Sequence, residues 1–327
     1  MFRLLVLLAV ASSIALCRKG PVAQTFPKTF TYKQVGNIDV LANVYKLDGN
    51  APRPVILWLH GGGLIFGSRG MLPADERERF LRAGYVVVAT DYRLGPETKL
   101  PEILRDVEDA YRWIQEKGPT LFSADPQRVA IVGQSAGAYL ALMAGVRVHP
   151  SPKAIISFYG YGDIAGEWYS RPSAFFSSER QVTKNEAFRV VSNRVLSESP
   201  DLPRQQFYVY CRQNGRWPQE IAGFDPLSEL EKLYNLSPER LVGPRYPPTF
   251  LLHGDRDTDV PYQMSERMAD ALQRQGVEHR LSRMVGFNHL FDVFPDGLPP
   301  VGKPTGLQNR KVASAFQDVL DFLSRYV

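Results

Sequence analysis

The chain has 327 residues, which is enough for one large α/β domain or two smaller ones. Its composition of 44% hydrophobic and 22% charged residues is that of a globular protein and excludes a disordered chain, a collagen-like fibre and a coiled coil. The net charge is only +5, and the basic residues form no stripe or arm, so we expect no nucleic-acid partner.

The first 17 residues have the pattern of a secretory signal peptide. Arg3 precedes a short apolar run, and small residues follow at Ser13 and Ala15. This run is shorter than a membrane span, and no later stretch reaches the roughly 18 uninterrupted apolar residues that a span needs. We therefore predict a signal peptide over residues 1–17, no transmembrane helix, and a secreted or periplasmic protein.

Strand and helix patterns alternate along the first half of the chain. Apolar runs bounded by turn residues predict strands, and apolar residues at three-to-four spacing predict helices. The predicted strands are 29–35, 39–45, 55–59, 85–89, 129–132 and 154–158. The predicted helices are 72–83, 101–117 and 136–146, of which the second is expected to stop at Gly118 and Pro119. This alternation is typical of a mostly parallel sheet flanked by helices on both faces.

The pattern stops near Gly162 and resumes near Pro248. The residues between them are rich in Arg, Ser, Pro and aromatic residues, without a strong strand run, so we predict a cap or lid insertion over 164–247. The remaining predicted elements are a strand at 249–252, a helix at 262–275, a strand at 278–284 and a helix from 313. The sequence thus predicts one α/β domain over 18–327, with the insertion between its sixth and seventh strands.

The strongest motif is Gly133-Gln134-Ser135-Ala136-Gly137, which follows a predicted strand and opens a predicted helix. This is the context that a G-x-S-x-G nucleophile elbow requires. The chain must reverse there within a few residues, which forces the serine into a strained conformation, and small neighbours prevent a clash. We expect the Ser135 hydroxyl to stand above the edge of the sheet, beside the N–H groups of the helix N-terminus.

A serine hydroxyl needs a base to accept its proton, and the chain has five histidines. His289 lies after the last predicted strand, and parallel strands bring their carboxyl ends to one edge, so this loop can reach Ser135. His60 and His253 also follow strands, but each opens a His-Gly turn, where we expect the imidazole to brace the loop. The other two histidines lie at a helix end and a strand start, away from that edge. We therefore predict that His289 is the base.

The base in turn needs a carboxylate that fixes its tautomer and stabilises the imidazolium. The segment 253–261 follows a predicted strand and offers Asp255, Asp257 and Asp259. Asp163, which follows the preceding strand, is a fourth candidate. The chemistry of the residues does not choose among these four carboxylates.

A glycine-rich turn, His60-Gly61-Gly62-Gly63, follows the predicted strand at 55–59. Consecutive glycines let backbone N–H groups approach a substrate oxygen that side chains would screen. We therefore expect this turn to supply hydrogen-bond donors to an oxyanion.

Neither a metal nor an organic cofactor is expected. The two cysteines, Cys17 and Cys211, are too few for a disulfide scaffold or a cysteine-based zinc site. The glycine-rich segments match neither the phosphate-binding pattern G-x-x-x-x-G-K-[S/T] nor the dinucleotide pattern G-x-G-x-x-G.

Together these motifs resemble the α/β-hydrolase fold, and more narrowly the hormone-sensitive-lipase-like esterases. The resemblance covers about residues 53–163 and 248–292. It rests on the glycine turn after His60, on Asp91-Tyr92-Arg93-Leu94-Gly95-Pro96-Glu97 with Pro101, on Asp106 with Trp113, on the motif around Ser135, on the segment 253–261, and on His289.

The resemblance also implies roles for individual residues. In that family the acid is the aspartate of the pattern H-G-x-x-D-x-x-V-P, which implies Asp257. Asp259 is the second candidate. The oxyanion donors would be the N–H groups of Gly62, Gly63 and Ala136.

The chain departs from the family pattern at three places. Gln134 stands where the family often has aspartate, and Ala138 where it often has a second glycine. Few residues precede the first strand, so the cap expected at the N-terminus must come from 164–247 instead.

The resemblance implies a serine hydrolase that cleaves carboxylic esters through an acyl-enzyme, with Ser135, His289 and Asp257 as its triad. Small-molecule or acylated-carbohydrate esters are the expected substrates, without a cofactor, and no particular oligomeric state is predicted. An amidase or peptidase of the same fold would use the same triad. A non-catalytic binding relative is a second alternative, although such relatives tend to lose a triad member.

Overall fold

The computed structural model describes residues 27–199, 202–295 and 306–327. The predicted signal peptide over 1–17 lies outside these residues, as does Cys17, and both the peptide and the secreted or periplasmic location stay predictions. Among the described residues, no helix combines the length and the apolar content needed to cross a bilayer.

Within these described ranges, eight strands form a single, mostly parallel sheet, as predicted. They are β1 (Lys28–Val35), β2 (Ile38–Tyr45), β3 (Arg53–Leu59), β4 (Val86–Thr90), β5 (Ala124–Gln134), β6 (Ala154–Phe158), β7 (Thr249–Gly254) and β8 (His279–Met284). Their order across the sheet is β1-β2-β4-β3-β5-β6-β7-β8. The pairs β1–β2 and β2–β4 are antiparallel, and all the other neighbouring pairs are parallel.

Helices cover both faces of this sheet. The longer ones are α1 (Ala74–Arg82), α2 (Leu100–Phe122), α3 (Ala136–Arg147), α10 (Gln263–Arg274) and α11 (Arg310–Tyr326). The short helices between β6 and β7 are α4 (Glu167–Ser170), α5 (Ala174–Ser178), α6 (Lys184–Phe188), α7 (Gln205–Asn214), α8 (Leu230–Tyr234) and α9 (Pro238–Leu241), with a π-helical turn at Pro218–Ala222. Short 3-10 turns lie at Arg69–Met71, Leu202–Arg204 and Gly306–Gln308.

The core divides into two apolar layers because successive strand residues point to opposite faces. In β3, Val55, Leu57 and Leu59 belong to the apolar layer that also contains residues of α2, α3 and α10. Ile56 and Trp58 of the same strand pack with α1 and α11 on the other face. Burial on both faces explains why β3 is a continuous apolar run instead of an alternating pattern.

Helix α2 continues past the expected stop at Gly118 and Pro119 and ends at Phe122. Pro119 lacks an N–H group, but only the last turn of the helix follows it. Phe122 is 3% exposed, and its ring centroid lies 5.3 Å from that of Trp113, so burial of this ring holds the last turn in place. Ser123, with φ of 58°, then ends the helix, and its N–H donates to the Gly118 carbonyl oxygen.

One buried ion pair joins the segment between β6 and β7 to the loop after β4. Arg204 precedes α7, is 4% exposed, and binds the Glu97 carboxylate at two points, over 2.6 and 2.8 Å. Its guanidinium also donates to the carbonyl oxygens of Ile65, Gly95 and Val190. Every N–H group of this guanidinium therefore has an acceptor, which offsets the desolvation of a buried ion pair.

Replacing Arg204 by alanine would leave the Glu97 carboxylate buried without its counter-charge. We expect Arg204→Ala to lower the free energy of unfolding by about 3–5 kcal/mol. Urea denaturation measures this change. Arg171→Ala is the matched control, because Arg171 pairs with Glu167 on the surface, where both side chains are about 70% exposed, and we expect a change of at most about 0.5 kcal/mol. Equal losses in the two variants would contradict the anchoring role of Arg204.

Candidate active site

The loops with the predicted site residues meet at one edge of the sheet. In the parallel register, Leu59 of β3 lies opposite Gly133 of β5, Phe158 of β6 lies opposite Leu252 of β7, and Gly254 ends β7 beside Met284 of β8. These strands therefore end together. The loops that follow β3, β5, β7 and β8 carry the glycine turn, Ser135, the aspartate segment and His289.

Ser135 occupies a strained turn between β5 and α3. Its backbone angles are φ 54° and ψ −119°, a region that non-glycine residues rarely adopt. The backbone of this turn packs directly against the end of β3. A Cβ atom at Gly137 would lie 2.2 Å from the carbonyl oxygen of Leu59. Only glycine fits at position 137, which is the physical reason for the last glycine of the motif.

Ser135, His289 and Asp257 form a continuous hydrogen-bonded chain. The Ser135 hydroxyl donates to Nε2 of His289 over 3.0 Å, and Nδ1–H of His289 donates to the Asp257 carboxylate over 2.6 Å. Ser135 and His289 are 8% and 7% exposed. The structure thus brings together the serine and histidine that the sequence motifs predict and the aspartate that the family resemblance implies, with the imidazole between the other two.

The turn after β7 holds the Asp257 carboxylate in place. The backbone N–H groups of Asp259 and Val260 donate to one of its oxygens, each over 2.8 Å. His253 contacts the other oxygen over 3.1 Å. Burial alone would raise the pKa of Asp257, but the charges of His289 and His253 and the hydrogen bonds from both rings outweigh it and hold the pKa well below its usual range. Asp257 therefore remains an anion beside the imidazole.

His289 is influenced by opposing effects. Burial lowers the pKa of its imidazole, whereas Asp257, the hydrogen bond to it, and the charges of Asp259 and Asp292 raise the pKa, and the net pKa is higher than the usual histidine value. The imidazolium that forms when His289 accepts a proton is therefore stabilised by its surroundings.

The other candidate acids do not contact Nδ1 of His289. Asp163 accepts from the Ala165 N–H and from Arg267, and Asp255 accepts from the Gly286 N–H and from Arg283. Asp259 comes nearest, with a carboxylate oxygen 4.0 Å from Nε2 of His289, on the side of Ser135.

His60 and His253 brace their own loops. Nδ1–H of His60 donates to the Gly61 carbonyl over 2.7 Å, and burial lowers the pKa of this imidazole to about 4, although that hydrogen bond opposes the shift. His253 contacts Ser265 over 2.7 Å as well as Asp257. Neither ring is bonded to Ser135.

The glycine turn lies against Ser135. A Cβ atom at Gly61 would be 3.2 Å from Cβ of Ser135. Gly62 has φ of 108°, and a Cβ there would lie 2.0 Å from the Phe66 carbonyl oxygen. Among the described residues, none accepts a hydrogen bond from the backbone N–H of Gly62, Gly63 or Ala136. These three donors are therefore available to a ligand beside the serine.

Residues of the segment between β6 and β7 cover the glycine turn. The Tyr208 ring packs so closely that a Cβ at Gly63 would lie 2.6 Å from it, and the Trp217 indole N–H donates to the Gly63 carbonyl over 2.9 Å. The Tyr208 hydroxyl donates to Asp259 over 2.6 Å. Arg212, 2% exposed, contacts the same Asp259 oxygen over 2.5 Å. Sequence reasoning missed Tyr208 and Arg212, because no motif surrounds them.

A buried pair of acids behind the site was also missed. Glu76 and Asp292 are 0% and 1% exposed, and a carboxylate oxygen of each lies within hydrogen-bonding distance of the Gln134 side-chain amide nitrogen, at 3.2 Å for Glu76 and 2.5 Å for Asp292. Gln134, which precedes the nucleophile, and Tyr159, which follows β6, both donate to Asp292. The one sequence signal was Gln134 itself, since it departs from the family pattern.

Within the part of the chain that the structure describes, no group of three or more His, Cys, Asp or Glu side chains is arranged to hold a metal ion. Cys211 is a buried free thiol on α7.

This sheet order, with a serine turn after β5 and loops converging at the carboxyl edge, is the α/β-hydrolase fold. A Staphylococcus aureus protein of unknown function is 24% identical with a TM-score of 0.73, covering 91% of this chain and 99% of its own. An α/β-hydrolase superfamily protein from Enterococcus faecalis is 21% identical with a TM-score of 0.68, covering 91% and 98%. An esterase of Thermogutta terrifontis, Est2 with propionate bound, is 21% identical with a TM-score of 0.63, covering 91% and 94%. The fold prediction is thereby confirmed.

The chain belongs to the BD-FAE family, which it matches over residues 43–272. The narrower resemblance to hormone-sensitive-lipase-like esterases stays a prediction. The non-reducing polyketide synthase Preu3 of Preussia isomera is 30% identical across 88% of this chain and 13% of that protein. The non-reducing polyketide synthase pkbA of Emericella nidulans is 28% identical across 84% of this chain and 13% of that protein. The chain thus spans 13% of the length of these two curated relatives.

The contact distances predict which of the two aspartates nearest His289 affects its pKa more. Because the Asp257 carboxylate lies 2.6 Å from Nδ1, Asp257→Asn should lower the pKa of His289 by about 2 units. Asp259→Asn is the matched variant two residues away, and because its carboxylate lies 4.0 Å from Nε2 and is paired with Arg212, we expect a decrease below about 1 unit. NMR titration of the histidine rings measures both values, and a larger shift in Asp259→Asn would reverse the ranking.

Proposed function

We propose that this protein is a serine hydrolase that cleaves carboxylic esters through an acyl-enzyme intermediate. The proposal rests chiefly on one observation, the hydrogen-bonded chain from Ser135 through His289 to Asp257. The free N–H donors of the glycine turn beside this serine give further support. The same residue types in the same arrangement perform acyl transfer on several unrelated folds.

In the proposed reaction, the Ser135 hydroxyl attacks the ester carbonyl carbon while Nε2 of His289 takes its proton. Asp257 stabilises the resulting imidazolium through the hydrogen bond at Nδ1. The N–H groups of Gly62, Gly63 and Ala136 bind the oxyanion of the tetrahedral intermediate, and such a donor contributes roughly 3 kcal/mol. His289 then protonates the leaving alcohol, and water repeats the sequence on the acyl-enzyme. Every proton transfer in this cycle uses only groups of the chain, the substrate and water.

We further propose that residues 164–247 act as the cap of this site, as the sequence predicts. Contacts of Tyr208 and Trp217 with the glycine turn support this role, as does the anchoring of the segment through Arg204. The low exposure of Ser135 favours small acyl groups over bulky ones. Small-molecule or acylated-carbohydrate esters remain the proposed substrates. Two structural neighbours give context: one is an esterase solved with propionate, and the other is an acetyl ester-xyloside bifunctional hydrolase from Caldicellulosiruptor lactoaceticus.

Removing the nucleophile should abolish turnover without unfolding the protein. We expect Ser135→Ala to lower kcat on a nitrophenyl acetate by at least about 10⁴-fold, because the triad acts as a unit. A fluorophosphonate probe should label the wild type and not this variant. Ser178→Ala is the control, because Ser178 is an exposed serine of the proposed cap segment, and this variant should keep full activity. Wild-type-like turnover in purified Ser135→Ala would refute the proposal, and anilide turnover above ester turnover would favour an amidase.

The pH profile should report the imidazole. His289 must be neutral to accept the Ser135 proton, and its pKa is raised above the usual value of about 6.5. Activity should therefore be full at alkaline pH and fall as the pH decreases through a midpoint above about 6.5. The acidic limb of kcat/KM on nitrophenyl acetate measures this midpoint. A midpoint near pH 4 would exclude His289 as the titrating base.

A further inference from the structure

We infer that Glu76 and Asp292 share one proton and act as positioning residues for His289, holding its loop and adding a second negative charge behind the imidazole. This inference builds on the proposed ester hydrolysis, but its central measurement does not require catalysis. Glu76 lies on α1, whereas Asp292 lies three residues after His289 in the loop that follows β8.

The hydrogen-bond donors around the pair indicate where the proton lies. Asp292 accepts from the Tyr159 hydroxyl over 2.7 Å and from the Gln134 amide over 2.5 Å, with one donor on each carboxylate oxygen. Glu76 receives only a longer contact of 3.2 Å from the same amide. Because both carboxylates are buried and approach the same amide nitrogen, they are too close for both to ionise, so one must carry a proton. Asp292, which has the shorter and more numerous hydrogen bonds, therefore holds the charge, and Glu76 donates its proton to it.

Both donors to Asp292 are neighbours of the reacting residues. Gln134 directly precedes Ser135 in the strained turn. The Tyr159 ring packs edge-on against the His289 imidazole, with 4.6 Å between ring centroids. The acid pair thus joins α1, the end of β5 and the histidine loop at a point directly behind the serine and the imidazole. Its loss would release the histidine loop from the sheet.

The charged groups that face His289 are acidic, and one of them, Asp259, is paired with Arg212. His289 faces Asp257 at Nδ1, Asp259 near Nε2, and Asp292 behind the ring, and each raises its pKa. Glu76 also experiences the charge of Asp75 on its own helix. Tyr159 stays neutral, because burial, Asp292, Glu76 and Asp257 all raise its pKa. Among the described residues, no basic side chain forms an ion pair with Glu76 or Asp292. The buried negative charge is therefore available to the imidazolium.

Two isosteric substitutions test where the charge lies. In Glu76→Gln the amide replaces the neutral carboxyl group as a donor to Asp292, so the charge and the His289 pKa should stay as they are in the wild type. In the double variant Glu76→Gln/Asp292→Asn no charge remains, and the His289 pKa should fall by about 1 unit. Histidine-ring NMR titration gives the value, with the resonance assigned by comparison with His289→Asn. Asp75→Asn, at an exposed carboxylate beside Glu76, is the control and should change neither the His289 pKa nor the activity.

An unchanged His289 pKa in the folded double variant would overturn the inference. An equal decrease in Glu76→Gln would overturn it too, because the charge would then reside on Glu76. The midpoint of the acidic limb of kcat/KM should lie about 1 pH unit lower in the double variant than in the wild type. Looser packing alone would not produce this change. If instead the proposed function were wrong, neither the wild type nor any variant would hydrolyse esters, but the decrease of the His289 pKa in the double variant would still be seen by NMR.

Stability gives a second, independent readout. Burial and Asp292 raise the pKa of Glu76 well above its ordinary value, so the folded protein holds a proton that the unfolded chain releases above about pH 4.5. The unfolded state then binds fewer protons, and the stability of the wild type falls as the pH rises toward the folded-state pKa. Glu76→Gln removes this loss, so its midpoint of urea unfolding should rise relative to the wild type between pH 5 and pH 8. A difference that is constant with pH would contradict the shared proton.

Discussion

The hydrogen bond between Ser135 and His289 joins two loops that are 154 residues apart in the chain, and the arrangement of the site depends on it. It forms because β5 and β8 end at the same edge of a parallel sheet, and because the strained turn at Ser135 raises the hydroxyl above that edge. The strain is tolerated since the turn is packed directly against the end of β3, where glycine at position 137 allows close contact of two backbones. The sheet therefore stabilises a serine conformation that an isolated turn would not keep.

Negative charge is unusually concentrated around the imidazole. Asp257, Asp259 and Asp292 approach it from different loops or different sides, and all raise its pKa. Within the described part of the chain, Asp259 is the one of these three that pairs with an arginine, Arg212, which lies in the segment that covers the glycine turn. This arrangement ties the electrostatics of the site to the position of the segment between β6 and β7, because Arg212 is buried among aromatic rings and can neutralise Asp259 only while that segment is docked. Docking in turn relies on Arg204 and Glu97.

Much of this architecture could be read from the sequence because it follows from local patterns. Every predicted strand is present, and the serine motif, the glycine turn and His289 lie at the carboxyl edge as expected. The predicted end of α2 at Gly118 and Pro119 was wrong, since the burial of Phe122 outweighs the local effect of these two residues. The pair of Glu76 and Asp292 could not be predicted from the sequence, because Glu76 lies in an ordinary amphipathic helix and Asp292 in a loop without a motif.

By itself, the sequence determined the order of the strands and of the longer helices, the elbow at Ser135 and the set of histidine and aspartate candidates. Only the tertiary structure decided that Asp257, and not Asp259 two residues later, reaches Nδ1 of His289. The turn after β7 directs one carboxylate inward through two backbone N–H groups and leaves the other to Tyr208 and Arg212. Periodicity and small residues are encoded within a few positions, whereas the choice between neighbouring carboxylates depends on side chains that are distant in the chain and meet only after folding.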